Sequence, residues 1–367
     1  MSRCKMREFF YSVVTDQKKG IFVGLLKVFL WLLSLVYGVI VRIILSFYKF
    51  GLFKKEKLPC PVISVGNLTL GGTGKTPLVK ELVRILKEHQ LKPVILTRGY
   101  MAQGSGGPSD ETAMQEETFK GVPILAGKDR YQNAVAFLKQ NTADVFILDD
   151  GFQHWSLDRD LDIVTINAAN PWGNGRLIPR GILREPLGSL GRVDIFVLTK
   201  VNFNRENAAR IKDYLKKFYP GKLIVEMVHE PLGWVDINSS EIPQPFPSIP
   251  NGISGREPQR GKKICAFCGI GDPSSFNNTL LGAGADVQKL FVFTDHHIYT
   301  KDDIQTIIQF CREENINTIV TTHKDAVKLK MFLDDFKGLR LLYLQIKISA
   351  VEGKEAFRGR IVSLLHR

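Results

Sequence analysis

The chain has 367 residues, 44% hydrophobic and 24% charged, with 50 Lys and Arg against 37 Asp and Glu, a formal net charge of +13. That length points to two domains plus an appendage, and the composition excludes a disordered chain. Five scattered cysteines (Cys4, Cys60, Cys265, Cys268, Cys311) exclude a disulfide framework and fit a reducing compartment.

Residues 1–58 carry eleven basic and three acidic side chains, most of the net charge, around the most apolar run of the sequence, Ile21 to Phe53. Basic flanks on an apolar run point to anionic membrane lipids as a partner. A nucleic-acid partner is not expected, because its excess charge would sit on a folded module. The fourteen uncharged residues between Lys27 and Arg42 would span about 21 Å as a helix, short of the roughly 30 Å hydrocarbon core. An interfacial or monotopic helix is therefore the leading reading, ahead of a single span and of a buried helix of a soluble core. No small-residue cleavage site follows the run, so a signal peptide is not expected.

Pro59 and Pro61 end this segment. Continuous apolar runs then alternate with helical patterns: 61–68, 93–99, 122–127, 143–150, 161–168 and 193–200 as strands, 75–90 and 129–141 as helices. Runs without polar alternation suit parallel strands covered on both faces. The predicted fold is α/β: a doubly wound, mostly parallel P-loop domain over 59–222. Residues 223–258 begin as a strand or hairpin and pass into Pro-, Gly- and Ser-rich linker composition. The pattern then resumes with strands at 262–271, 290–297, 317–325 and 339–346 and a helix near 302–315. A second, smaller α/β domain is placed at 259–367.

Thr69-Leu70-Gly71-Gly72-Thr73-Gly74-Lys75-Thr76 lies between a predicted strand and a predicted helix, the context a phosphate loop requires. Glycines let backbone N–H groups wrap phosphates, the helix N-terminus adds partial positive charge, Lys75 supplies a full one, and the Thr76 hydroxyl can ligate Mg²⁺. The strict pattern has glycine where Thr69 stands. The core is similar to that of deviant P-loop ATPases and GTPases, whose signature lysine is replaced by Leu70.

Asp149 and Asp150 end the strand VFILDD, the position of metal-holding carboxylates in P-loop domains. Gln153 and His154 follow at once. Asp110-Glu111 lies in the long glycine-rich connection 99–121, where Asp110 can serve as a general base. The connection 170–192 carries Arg176, Arg180, Arg184 and Arg192 with Glu185, forks suited to phosphate or else ordinary surface charge. Asp295-His296-His297 can tune a base or serve the fold. Cys265 and Cys268 sit in a strand pattern and read as core thiols; no zinc ligand set is visible. Thr199-Lys200-Val201-Asn202 matches a guanine-reading motif except for Asn202 in place of its aspartate, so adenine is preferred.

In order along the chain stand VGNLTLGGTGKTP (65–77), RGY (98–100), DE (110–111), DDGFQH (149–154), GNGRLIPRGILREP (173–186), CGIGDP (268–273) and FTDHHIY (293–299). This series closely resembles the lipid A 4′-kinase (tetraacyldisaccharide 4′-kinase) family over nearly the whole chain. The family's T-E-K-D stands here as Thr322-His323-Lys324-Asp325. The resemblance implies an ATP- and Mg²⁺-dependent kinase at the cytoplasmic face of the Gram-negative inner membrane, acting as a monomer. Its acceptor would be the 4′-hydroxyl of a lipid A precursor disaccharide, and its product lipid IVA. It implies that Lys75 and Thr76 serve ATP and Mg²⁺, that Asp149 and Asp150 serve the metal and phosphoryl transfer, and that Asp110 is the base, oriented by His296. It places Arg130, Arg184 and Glu185 around the reacting phosphates or the acceptor. The competing readings are a membrane-bound P-loop NTPase switch that regulates a protein partner, and a kinase of a soluble sugar.

Overall fold

The computed structural model describes residue 9 and residues 12–99, 119–237, 263–295 and 297–364. The chain folds as two compact units, Met1–Val228 with Ala350–Arg367, and His229–Ser349.

The first unit opens with α1 (Ile21–Lys49), whose buried residues Leu30, Ser34, Gly38 and Val41 form one narrow stripe. A Cβ on Gly38 would stand 2.8 Å from Leu177 Cδ1, so the stripe packs closely on the 170–192 connection. The Tyr37 hydroxyl donates to the Arg184 carbonyl at 2.7 Å. Most other apolar side chains of the helix are exposed, Phe22 to 88% and Leu25 to 66%. That excludes a core helix of a soluble protein. Twenty-nine residues make about 43 Å, so the helix outruns its uncharged stretch and is long and apolar enough to cross a bilayer. Such a surface is compatible with membrane association.

Strands β1 (Val62–Gly66), β2 (Pro93–Thr97), β3 (Ile124–Ala126), β4 (Val145–Asp149), β5 (Leu161–Asn167), β6 (Ile195–Thr199) and the start of β7 (Leu223–Asp236) form a parallel sheet ordered β3-β2-β4-β1-β5-β6-β7. Strands β1, β4, β5 and β6 are buried throughout, as their unbroken apolar character requires. Helix α2 (Lys75–Glu88) buries Leu78, Val79, Leu82, Val83, Ile85 and Leu86. Residues of α3 (Arg130–Leu138) pack with Val62, Val94, Phe146 and Leu148. Ala208, Ile211 and Leu215 of α4 (Arg205–Phe218) pack with Val164, Phe196 and Leu198. Because β4 enters beside β1, the segments following both strands emerge together, where open α/β sheets bind ligands.

The end of β1 is tightly packed. A Cβ on Gly66 would lie 2.5 Å from Phe152 Cβ and 2.6 Å from its backbone nitrogen. Gly66→Ala is therefore expected to destabilise the protein by about 1–3 kcal/mol, read as a lower urea midpoint. An unchanged midpoint would mean that the 150–153 turn yields freely.

The segment 223–258 opens, as read, with a strand rather than a hairpin. Leu223–Asp236 is one continuous strand, with Val225, Met227 and Val235 buried, so apolar alternation outweighs the single Pro231. Residues 238–258 lie outside the described residues. The second unit holds β8 (Lys263–Cys268), α5 (Pro273–Gly282), β9 (Asp286–Val292), α6 (Lys301–Glu313), β10 (Thr318–Thr322), the short α7 (His323–Ala326) and most of β11 (Arg340–Glu352), with strands ordered β11-β10-β8-β9. Cys265, Phe267, Ile304, Ile308, Cys311 and Leu341 share its core. The C-terminal domain predicted over 259–367 loses its last stretch to the first unit: in α8 (Lys354–Ser363) Phe357 and Ile361 are buried and Arg358 pairs with Glu88.

Candidate active site

The loop from Asn67 to Gly74 joins β1 to α2. Gly71 (φ +111°) and Gly74 (φ +85°) hold conformations that favour glycine. Buried Asn67 organises the entry. Its Nδ2 donates to the Thr69 carbonyl at 2.7 Å and its Oδ1 accepts from Lys75 Nζ at 3.1 Å. On one side the Leu70 N–H donates to Ile182 O at 2.7 Å, and the Arg184 N–H to Leu68 O at 2.8 Å. On the other, the Thr199 hydroxyl donates to Thr73 O at 2.8 Å, Lys200 Nζ to Gly72 O at 3.1 Å, and the Thr73 and Thr165 hydroxyls share a 2.8 Å bond. The Thr199-Lys200 pair, read from sequence as a base-recognition motif, thus braces the loop backbone.

Strand β4 brings the carboxylates alongside, with Asp149 in register with Val65 of β1. The strand ends there. Asp150 adopts φ +51°, and its carboxylate lies 3.4 Å from Lys75 Nζ and accepts both its oxygens' bonds from Arg184 NH1 at 2.9 Å. Burial raises the Asp150 pKa, but Lys75 and Arg184 outweigh it and hold the carboxyl below its usual range. Gln153 links the same groups, accepting from Arg184 at 3.1 Å and donating to Asn67 O at 3.0 Å. The turn itself is pinned by two arginines: Arg159 donates to Gly151 O and His154 O, and Arg192 to Phe152 O.

Arg130, the first residue of α3, is buried, and its charge is felt by Asp150 and Asp149. Its NH1 lies 3.1 Å from His154 Nδ1. Burial, then the charges of Arg130 and Arg159, push the His154 pKa down to about 4, so the neutral ring accepts that hydrogen bond. An unfolded imidazole takes its proton near pH 6.5, so between there and pH 4 the unfolded state binds more protons and stability falls as pH falls. Replacing His154 with Gln is expected to remove on the order of 1–2 kcal/mol of that acid loss, allowing for solvent screening. Urea midpoints at pH 7, 5.5 and 4.5 check it; a slope equal to wild type would place the titration elsewhere.

Of the residues singled out in the sequence, Lys75, Asp150 and Arg184 converge, Asp149 and Arg130 adjoin them, and Thr76 follows Lys75 in the first turn of α2. Glu185 is engaged elsewhere: fully buried, it accepts from Arg192 at 2.7 and 2.8 Å and from the Trp155 indole at 3.2 Å. Asp110 and His296 lie outside the described residues. In the second unit His297 bonds Asp303 at 2.9 Å and stacks on Phe293, while Asp295 accepts from Lys324 at 2.8 Å. Thr322 caps α7, accepting from the Asp325 N–H and donating to the Asp325 carboxylate, which also takes the Gly269 N–H at 2.9 Å; His323 stacks on Tyr343. Cys265 and Cys268 are buried free thiols. Asn67, Arg159 and Lys200 were not marked as site residues by the sequence. Lys200 stood in the motif read for base recognition, Asn67 is marked as a polar residue between an apolar strand and the glycines, and Arg159 gave no signal.

A parallel α/β sheet whose first strand opens into a glycine cradle, with an adjoining strand ending in paired aspartates, defines a P-loop protein. The family described as tetraacyldisaccharide-1-P 4′-kinase matches residues 26–366, and the chain belongs to that family. It is 35% identical to the tetraacyldisaccharide 4′-kinase of Halothermothrix orenii, over 94% of this chain and 95% of that one. Identity to the enzyme of the same name from Syntrophus aciditrophicus is 37%, over 84% of each. The crystal structure of LpxK from Aquifex aeolicus in complex with ATP matches with a TM-score of 0.70 at 29% identity, covering 93% of this chain and 99% of that one.

Proposed function

We propose that this chain transfers the γ-phosphoryl group of ATP to the 4′-hydroxyl of a tetraacyl disaccharide 1-phosphate, the lipid A precursor, at the cytoplasmic face of a bacterial inner membrane. The observation that carries the reading is family membership over nearly the whole chain; the local geometry agrees with it. The amides of Gly71–Gly74 and the Lys75 ammonium provide donors and charge for a triphosphate. Arg184, held by Asp150 and Gln153, supplies a second charge preorganised beside the loop, and Arg130 a third. Phosphoryl transfer asks the protein mainly for position and charge neutralisation.

Among the described residues no three His, Cys, Asp or Glu side chains gather as a metal site. Mg²⁺ binds through one or two carboxylates plus phosphate oxygens. Thr76, Asp149 and Asp150 would hold it, where it would neutralise charge on the β- and γ-phosphates. Asp110 remains the proposed base and His296 its orienting partner. Helix α1 would seat the enzyme on the bilayer that presents its acceptor.

The test is transfer of ³²P from ATP to a panel of glycolipids by the full-length protein in detergent, with the product mapped. ATP consumption that requires the disaccharide and labels its 4′ position is the expected result. Hydrolysis stimulated by a protein, with no labelled lipid, would favour the NTPase switch. Full turnover of a soluble sugar after deletion of residues 1–53 would favour the soluble kinase.

A further inference from the structure

A cavity of about 370 Å³ lies beside α1, lined by Lys27, Val28, Trp31, Arg176 and Arg180 and by no residue of the phosphate loop. Its polar half carries three cations. One carboxylate answers them: Asp16 pairs with Lys27 at 2.7 Å and with Arg180 at 2.8 Å. Arg176 is exposed, and among the described residues its guanidinium has no ion-pair or hydrogen-bond partner. Arg180 NH1 is buried and likewise lacks a hydrogen-bond partner among them. Among the described lining residues and Asp16 the charges sum to +2, with Arg176 unpaired and a buried donor of the Asp16-paired Arg180 still free, in a space large enough for a small ligand.

The other half of the cavity is apolar and belongs to the helix that exposes its hydrocarbon. Val28 and Trp31 continue into the uncovered side chains Leu25, Phe29, Leu32 and Leu35. A ligand matching both halves has an anionic phosphate at one end and acyl chains at the other. Guanidinium forks suit phosphate oxygens, and a free anion would leave the apolar wall unused.

We propose that this cavity binds the headgroup of an anionic phospholipid, with Arg176 and Arg180 on its phosphate and its acyl chains along α1. Such a lipid would fix the azimuth of the helix and hold the first unit at a set height on the membrane. The inference rests on α1 meeting a bilayer, as in the reading above, but not on the phosphoryl transfer.

The test is quenching of tryptophan fluorescence by brominated lipids, with the full-length protein reconstituted in phosphatidylcholine vesicles containing 20% phosphatidylglycerol. The Trp31 component is the difference between wild type and Trp31→Phe. Brominated phosphatidylcholine reports whether Trp31 meets acyl chains at all; no quenching by either lipid sinks the bilayer reading of α1, and this site with it. The ratio of apparent affinities for brominated phosphatidylglycerol and phosphatidylcholine reports the cavity. We expect at least a fivefold preference for phosphatidylglycerol, lost in Arg176→Gln and kept in Lys54→Gln, a matched loss of charge at the far end of the segment. Fivefold corresponds to roughly 1 kcal/mol, the contribution of one cation near an anionic surface. Equal affinities in wild type would overturn the proposal, as would equal losses in both variants, the sign of diffuse attraction. Displacement by millimolar inorganic phosphate would show a free-anion site instead. Among the described residues Arg176 carries no ion pair, so its replacement spares the fold, and the wild-type preference decides without any variant.

Discussion

Lys75→Ala is expected to lower kcat for ATP-dependent phosphorylation of the disaccharide by about 10²- to 10³-fold, the usual effect of removing one preorganised donor from developing charge. The ammonium is already placed by Asn67 Oδ1 at 3.1 Å and Asp150 at 3.4 Å, so little side-chain freedom is lost when it meets a phosphate. Its attraction grows as the transferring group loosens, so the loss should fall on kcat more than on KM. Lys75→Arg should recover little, because a planar fork does not replace a compact point charge between Asn67 and Asp150. The fold should survive, since Asp150 keeps both bonds from Arg184. Steady-state kinetics with a thermal melt decide it: turnover within threefold of wild type in a folded Lys75→Ala protein would remove Lys75 from the reaction.

Periodicity and one loop motif made much of this fold legible. Unbroken apolar runs placed every strand from β1 to β6 to within about two residues, since a strand covered on both faces has no polar alternation to hide it. The boundary between the units was not legible. Strand β7 reads as a strand or hairpin, but nothing in its pattern, with Pro231 and half-buried Glu226 and Glu230, marks that it runs from one unit into the other, because its pairing depends on chain far away. The last helix reads as part of the second domain because sequence adjacency is the only guide to which unit Phe357 and Ile361 fill. Within the site, Lys75 and the two aspartates were visible because their chemistry is tied to local backbone. Asp150, however, escapes strand alternation through a left-handed φ, which no spacing rule reveals. Arg184 and Glu185 are adjacent and equally polar in sequence. Only the tertiary fold sends one to the phosphate loop and the other into the interior.

That divergence predicts opposite behaviour for the two neighbours. Glu185 is fully buried and accepts two bonds from Arg192, whose guanidinium also lies 3.7 Å over the Phe152 ring and donates to the Phe152 carbonyl. Removing one partner of a buried pair leaves an uncompensated charge, at a cost of about 3–5 kcal/mol. Arg192 keeps partial solvent access, so Glu185→Ala should fall near the lower bound. Glu185→Gln, which can still accept from Arg192 and Trp155, should lose roughly half as much. The turn that Arg192 pins carries Gln153 and follows Asp150, so the activity of both variants should decline with the folded fraction as temperature rises. Arg184→Ala should do the reverse, with turnover falling at every temperature and the melting point nearly kept, because among the described residues its side chain is braced by Asp150 and Gln153 alone, at the rim of the loop. Melting curves and turnover measured on the same samples separate the cases. If Glu185→Gln melts with wild type yet loses turnover a hundredfold, the buried carboxylate acts on the reacting phosphates after all.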